Sequence, residues 1–148
     1  MSDRDSSSDE QVSAVNDWNT KNIEEFRANH GALGGSFEGA PVLLLHTKGA
    51  KSGQERINPI MYLNEDGSIY VFASKAGADT NPDWFHNLVV TPEVNIEIGD
   101  ETIEATAVPV LGAERDRIYA VQAERFPGFG DYQAKTTRVI PVVQLVRA

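Results

Sequence analysis

Val42-Leu43-Leu44-Leu45-His46-Thr47, Ile57-Asn58-Pro59-Ile60-Met61-Tyr62-Leu63 and Ile69-Tyr70-Val71-Phe72-Ala73-Ser74 are three short apolar runs separated by turn-forming residues. Their lengths and spacing read as consecutive strands of a meander. A basic turn ending at Arg56 joins the first two, and Asn64-Glu65-Asp66-Gly67 is a hairpin signal between the second and third. Further on, Asn81-Pro82-Asp83 opens a short helix over 83–90, with Pro82 near its first turn and Thr91-Pro92 closing it. Val94, Ile96 and Ile98 alternate with polar residues, which marks a half-buried strand. Gly99-Asp100 turns into a strand over 102–110. A helix from Ala113 to Arg125 follows, with Ile118 and Val121 inward, then a loop over 126–137 and a last strand over 140–146. Six strands at hairpin spacing with helices inserted between them predict a mainly β, α+β fold: a small antiparallel barrel, not a doubly wound parallel sheet.

Upstream of the strands, residues 1–12 are acidic and Ser-rich and are expected to form a disordered tail. Val15, Trp18, Ile23 and Phe26 share one face of a helix over 15–30, Gly31 stops it, and a Gly-rich connector runs to Ala40. The division is therefore a tail over 1–12 and a single domain over 13–148.

The 148 residues suffice for one domain, which at this length buries about two-thirds of its unfolded surface. A net charge of −9 opposes nucleic-acid binding, because phosphate backbones are repelled. The same acidity at the N-terminus opposes docking on anionic membranes. There is no cysteine, which excludes disulfides and thiol chemistry, so any redox activity has to come from a bound cofactor. No apolar run reaches the roughly 20 residues of a membrane span and no signal-peptide core is present, so a soluble, cytoplasmic protein is expected. His30, His46 and His86 do not have the spacing of a helical metal site, and no metal is expected. G-x-S-x-G and G-x-G-x-x-G are absent. Gly49-Ala50-Lys51-Ser52 superficially resembles a P-loop but lacks the glycine before the lysine.

Two segments carry chemistry. In Thr47-Lys48-Gly49-Ala50-Lys51-Ser52-Gly53-Gln54-Glu55-Arg56, Lys51, Ser52 and Arg56 offer two fixed cations and a hydroxyl beside Gly49 and Gly53, which let backbone N–H groups approach an anion. In Ala73-Ser74-Lys75-Ala76-Gly77-Ala78, small residues allow a flat ring to lie against the backbone, with N–H groups meeting its polar edge. In a meander both segments fall at one edge of the sheet. Trp84 and Phe85 are candidates for an apolar wall, although Trp84 and Leu88 at i, i+4 are equally the spacing of core residues.

The run T-x-G-x-K-S-G-x-x-R-x-x-P (Thr47 to Pro59), then A-S-K-x-G-A, N-P-x-W-x-x-N-L, and D-Y-Q-x-x-T-x-R-x-I-P (Asp131 to Pro141) resembles the deazaflavin-dependent nitroreductase family of actinobacterial proteins. The likeness extends from about Leu33 to the C-terminus. It implies a split β-barrel of the flavin-reductase and pyridoxamine-phosphate-oxidase type that binds coenzyme F-420, an 8-hydroxy-5-deazaflavin. It further implies that Lys51, Ser52, Gly53 and Arg56 hold the coenzyme's phosphate, and that Asn58 and Pro59 shape the strand under its tail. Ala73, Ser74, Lys75, Ala76, Gly77 and Ala78 would cradle the ring. Trp84, Phe126, Phe129 and Tyr132 would face the acceptor, with Ser74 and Tyr132 as the candidate catalytic pair.

The implied reaction is hydride transfer to a small electron-poor acceptor: a quinone, an activated alkene or a nitroaromatic. Alternatives are an FMN-dependent oxidoreductase of the same fold and a non-catalytic cofactor carrier. Barrels of this kind often dimerise, so a homodimer is an expected assembly. Ala50 departs from relatives that carry a further basic residue there. Nitroimidazole-reducing relatives have tyrosines at spacing three where this chain has Phe126, Phe129 and Tyr132. Losing two phenols favours apolar planar acceptors. The purified protein is therefore expected to turn over nitroimidazoles poorly beside simple quinones, and robust nitroimidazole reduction in a coenzyme-oxidation assay would contradict this.

Overall fold

The computed structural model describes residues 20–34 and 40–148, Ala76 by its backbone alone. The tail over 1–12, the helix-face residues Val15 and Trp18, and the connector residues 35–39 lie outside the described residues. Strands β1 (Val42–Lys48), β2 (Glu55–Glu65), β3 (Ser68–Phe72), β4 (Glu93–Ile98), β5 (Glu101–Val110) and β6 (Val142–Arg147) form a closed antiparallel barrel in the order β1-β2-β3-β6-β5-β4. Helix α1 covers 20–28. α2 (Asp83–Val90), α3 (Gly112–Arg125) and α4 (Gly128–Ala134) complete the set, with a 3-10 turn at Lys75–Gly77. The antiparallel barrel and the boundaries of α2 are as the sequence predicts. The stretch 126–137, expected to be a loop, contains α4.

The strands are apolar on consecutive positions because both faces of the sheet are covered. Leu43, Leu45, Ile69, Val71, Ala73, Val94, Ile96, Ile103, Val143 and Leu145 fill the barrel interior, and Trp84 and Leu88 of α2 join that cluster. The alternate residues point outward into two satellite cores. Val42 and Leu44 pack with Phe26 of α1 and Leu33. Tyr70, Phe72 and Val142 pack with Ile118 and Tyr119 of α3 and Phe129 of α4. Phe26 is fully buried, a burial that contributes roughly 1.5–3 kcal/mol. Among the described residues no helix is long and apolar enough to cross a membrane.

α4 forms despite glycines at positions 128 and 130, which cost helix stability. Tertiary contacts offset that cost. Phe129 sits edge-on to Phe72 at 5.7 Å and to Tyr132 at 5.3 Å. The Tyr119 hydroxyl donates to the Phe129 carbonyl at 2.5 Å. Burial pushes the Tyr119 phenol pKa up, which keeps it a donor.

An ion-pair cluster ties α1 to the closing strands. Arg27 grips Glu97 of β4 through two bonds of 3.1 and 2.7 Å, and His46 of β1 meets the same carboxylate at 2.5 Å. The Arg27 hydrogen bond, and after it that of His46, holds the Glu97 carboxyl below the usual range against the opposing effect of burial. A depressed carboxyl contributes stability above its unfolded pKa, and that contribution disappears as pH falls through the folded value. Glu97→Gln is thus expected to cost about 1–2 kcal/mol at pH 7. The gap to wild type should close only in acid, below the ordinary glutamate range. Urea melts of both proteins at pH 7 and in strong acid check this, and a gap independent of pH would refute it.

Candidate functional site

β2 changes partner along its length. Its second half pairs with β3 from Tyr62↔Val71 to Glu65↔Ser68, while Glu55 to Met61 pair only with β1. Beyond Phe72 the chain leaves the ladder and enters the 3-10 turn. This leaves the first half of β2 unpaired on its other side, a gap in the hydrogen-bond ladder toward the 73–78 segment. Pro59, which cannot donate a ladder hydrogen bond, sits in that singly paired half of β2. Cross-strand partners share a face: Asn58 lies with the interior residue Leu45, and Arg56 with Thr47.

The basic turn stands at one end of this gap. The Gly49 N–H donates to the Gln54 carbonyl at 2.8 Å and the Gly53 N–H to the Gly49 carbonyl at 2.9 Å, with Gly53 at φ +72°. A Cβ built on Gly49 would lie 2.7 Å from Ser52 Oγ and 3.7 Å from Arg56 Nε. A hydroxyl and a guanidinium therefore converge where this glycine has no side chain. Lys51, Ser52, Gly53 and Arg56 are all exposed. The residues fit an anion: fixed positive charge and donors on a backbone turn, open to approach.

Asn87 of α2, buried, fastens this turn. Its side-chain oxygen accepts from the Ala50 N–H at 2.9 Å and its amide donates to the buried Thr47 hydroxyl at 3.1 Å. α2 begins five residues after the expected ring cradle ends at Ala78, so one helix links the two segments. Within the cradle, Ala73 and Gly77 are buried and Ser74 and Ala78 half-buried. Gly77 (φ +82°) lies against α4, where a Cβ would meet the Tyr132 carbonyl at 2.8 Å. The Tyr132 backbone thus abuts Gly77, while its ring packs edge-on against Phe129. Lys75 is exposed and its amine donates to Thr80 at 3.1 Å.

Two residues expected to face the acceptor are buried. Trp84 is 8% exposed within the barrel core and Phe129 is 7% exposed among Phe72 and Tyr119. Each packs on its neighbours because a large aromatic contributes more stability in the core than on a cleft wall. Phe85, Phe126 and Tyr132 remain half-buried. Two cavities border these elements, the first reaching Thr47 and Glu55 at the foot of the basic turn. One of about 460 Å³ opens beside His46, Lys48 and Glu93 where β1 and β4 diverge. The other, about 470 Å³, lies between Phe85, Leu111, Arg115 and Pro141.

Sequence reasoning assigned no role to Asn87, Gln133 or Arg138, although all three stand in the quoted motifs. Arg138 donates to the carbonyls of Ala73 (3.1 Å), Ser74 (2.8 Å) and Ala78 (2.7 Å) and to Asn81 Oδ1 (2.8 Å). Gln133 donates to the Arg138 carbonyl at 2.7 Å and accepts from the Ile140 N–H and from Arg115. Polar residues that read as solvated in a sequence here tie α3, α4 and the cradle together.

Comparison with known proteins gives a consistent family. The F420H(2)-dependent quinone reductase of Mycobacterium tuberculosis H37Rv, Rv1261c, is 37% identical over 126 residues, covering 82% of this chain and 85% of that one. A solved F420-H2 dependent reductase (FDR-A) superposes with a TM-score of 0.65 at 37% identity, covering 71% of this chain and 93% of that one. A second solved structure, described as a domain-swapped dimer, has a TM-score of 0.67 at 32% identity, covering 91% of this chain and 98% of that one. The coenzyme of this family is the deazaflavin, which decides against the FMN alternative, and its members are reductases. The family model for the F420H(2)-dependent quinone reductase matches residues 18–147, and this chain belongs to that family.

Proposed function

We propose that this protein reduces a quinone with hydride from reduced coenzyme F-420, the coenzyme's phosphate resting on Lys51, Ser52, Gly53 and Arg56. The observation that carries the reading is the convergence of Ser52 Oγ and Arg56 Nε over Gly49, at the end of a gap whose other bank is the 73–78 segment. In an acidic protein this is a local reversal of potential suited to an anionic tail. Asn58 and Pro59 line the bank of β2 between anion turn and ring.

When bound, the coenzyme supplies two electrons as hydride, so the protein's own residues position and do not react covalently. The backbone of the small residues Ala73, Ala76, Gly77 and Ala78 would hold the ring, with no bulky side chain in its way. Ser74 and Tyr132 flank the open side where the acceptor stacks, with Phe126 extending the apolar wall. Reducing a quinone to a hydroquinone consumes one hydride and one proton. The Tyr132 phenol orients the acceptor oxygen and passes it that proton. Phe129 supports Tyr132 edge-on from below. Activated alkenes and nitroaromatics meet the same electronic requirement and rank after quinones, which the family name supports. A cytoplasmic homodimer belongs to the same reading; the dimeric relative supports the assembly.

Arg56→Ala is expected to raise the KM for reduced coenzyme about tenfold or more, with kcat changed less, since it removes charge-assisted binding remote from the ring. Steady-state kinetics with a soluble benzoquinone check this, and unchanged coenzyme affinity would mean the anion turn is misassigned. Tyr132→Phe should lower kcat for the quinone by roughly 10- to 100-fold while leaving coenzyme affinity intact. Full activity in that variant would transfer proton delivery to water.

A further inference from the structure

Arg138 is bonded to four oxygens, and none belongs to a carboxylate. Three are main-chain carbonyls of the ring cradle, from residues 73, 74 and 78. In a trans peptide the N–H points opposite to the carbonyl of the preceding residue. Turning the Ala73 and Ser74 carbonyls toward the guanidinium therefore turns the Ser74 and Lys75 N–H groups away from it. Ser74 lies in the right-handed helical region (φ −75°, ψ −39°), and Lys75 follows at φ +46°. That pair of conformations is a nest, a concavity of successive N–H groups that receives a negative or lone-pair-bearing atom.

A lysine at positive φ is a strained choice that persists only when its surroundings enforce it. Here the enforcement is visible. Arg138 grips the backbone on both sides of Lys75, Gly77 is pressed against the Tyr132 carbonyl, and Thr136 donates to Asp79 at 3.0 Å. Arg138 is itself held by Gln133, which Arg115 of α3 anchors at 2.6 Å.

We infer that Arg138 is a positioning residue: by binding the carbonyls of Ala73, Ser74 and Ala78 it keeps the Ser74–Lys75 nest open toward the electronegative edge of the coenzyme ring. The inference rests on the proposed function and adds to it a group that touches neither coenzyme nor acceptor. The donors are set before binding, so the coenzyme does not bear the cost of ordering them.

The full-length wild type, Arg138→Lys and Arg138→Gln are titrated with oxidised coenzyme F-420, following the absorption band of the bound ring and the amide resonances of Ser74 and Lys75. In wild type both resonances should shift on saturation. The lysine variant keeps the charge but loses the fork. It should bind about tenfold more weakly, as expected for one to two lost oriented hydrogen bonds, and with a displaced ring absorption band. Arg56→Ala should weaken binding without moving that band, because it acts on the phosphate end. If wild type binds the coenzyme but neither amide moves, or if a folded Arg138 variant binds with wild-type affinity and an unchanged band, the inference is overturned. Should both variants fail to fold, the wild-type amide shifts alone decide. Wild type that binds no coenzyme would instead overturn the functional reading on which the inference stands.

Discussion

Three residue pairs, Leu44↔Glu97, Leu45↔Ile96 and His46↔Asn95, join β1 to β4 and close the barrel. The remaining neighbouring strands are joined by ladders of four or more pairs, so this seam is the shortest. It is reinforced on the outside by Arg27, Glu97 and His46, and on the inside by Leu45 against Ile96. Closing the seam removes the sheet's edges, since every strand then has two partners. Past His46 the two strands separate, and the freed end of β1 runs into the basic turn. The same constraint that seals the core therefore delivers the basic turn to one rim.

The site follows from how a strand alternates. On β1 one set of side chains fills the interior and the other packs under α1, which leaves the strand rigid up to Thr47. Thr47 lies on the interior face and is fixed there by Asn87. Arg56, opposite Thr47 on β2, inherits that orientation. On β3 the interior row ends at Ala73, and the chain then turns sharply at Ser74 and Lys75. Anion turn and ring cradle thus rise from adjacent strands of one rigid wall, with α2 as a strut between them. In the proposed reading, a long coenzyme with a charged tail and a flat head would be held at two fixed points.

Much of the polar bonding at the cradle is main-chain recognition by side chains distant in sequence. Arg138 acts across more than 60 residues on Ala73 and Ser74, and Asn87 reaches 37 residues back to Ala50. Such bonds satisfy backbone groups where the ladder ends, the usual place for orphaned donors and acceptors. They also explain how Lys75 is held at positive φ in a loop with no disulfide to brace it.

The sequence by itself determined the strands and the helices α2 and α3, and it singled out the two segments, because both depend on local rules. Apolar runs bounded by turn residues give strands, Pro82 and Thr91-Pro92 delimit α2, and glycine beside Lys and Arg makes an anion turn. Only the tertiary structure decided which strands close the barrel, that residues 128–134 are helical, and that Trp84 and Phe129 go to the core. Helix α4 depends on Phe72 and Tyr119, more than 50 and about 10 residues away in the chain, and no local propensity of a Gly-rich segment reports that. The same holds for Arg138: its residue type is plain in the sequence, but its partners are carbonyls, which every residue carries, so only the folded backbone shows which ones it binds.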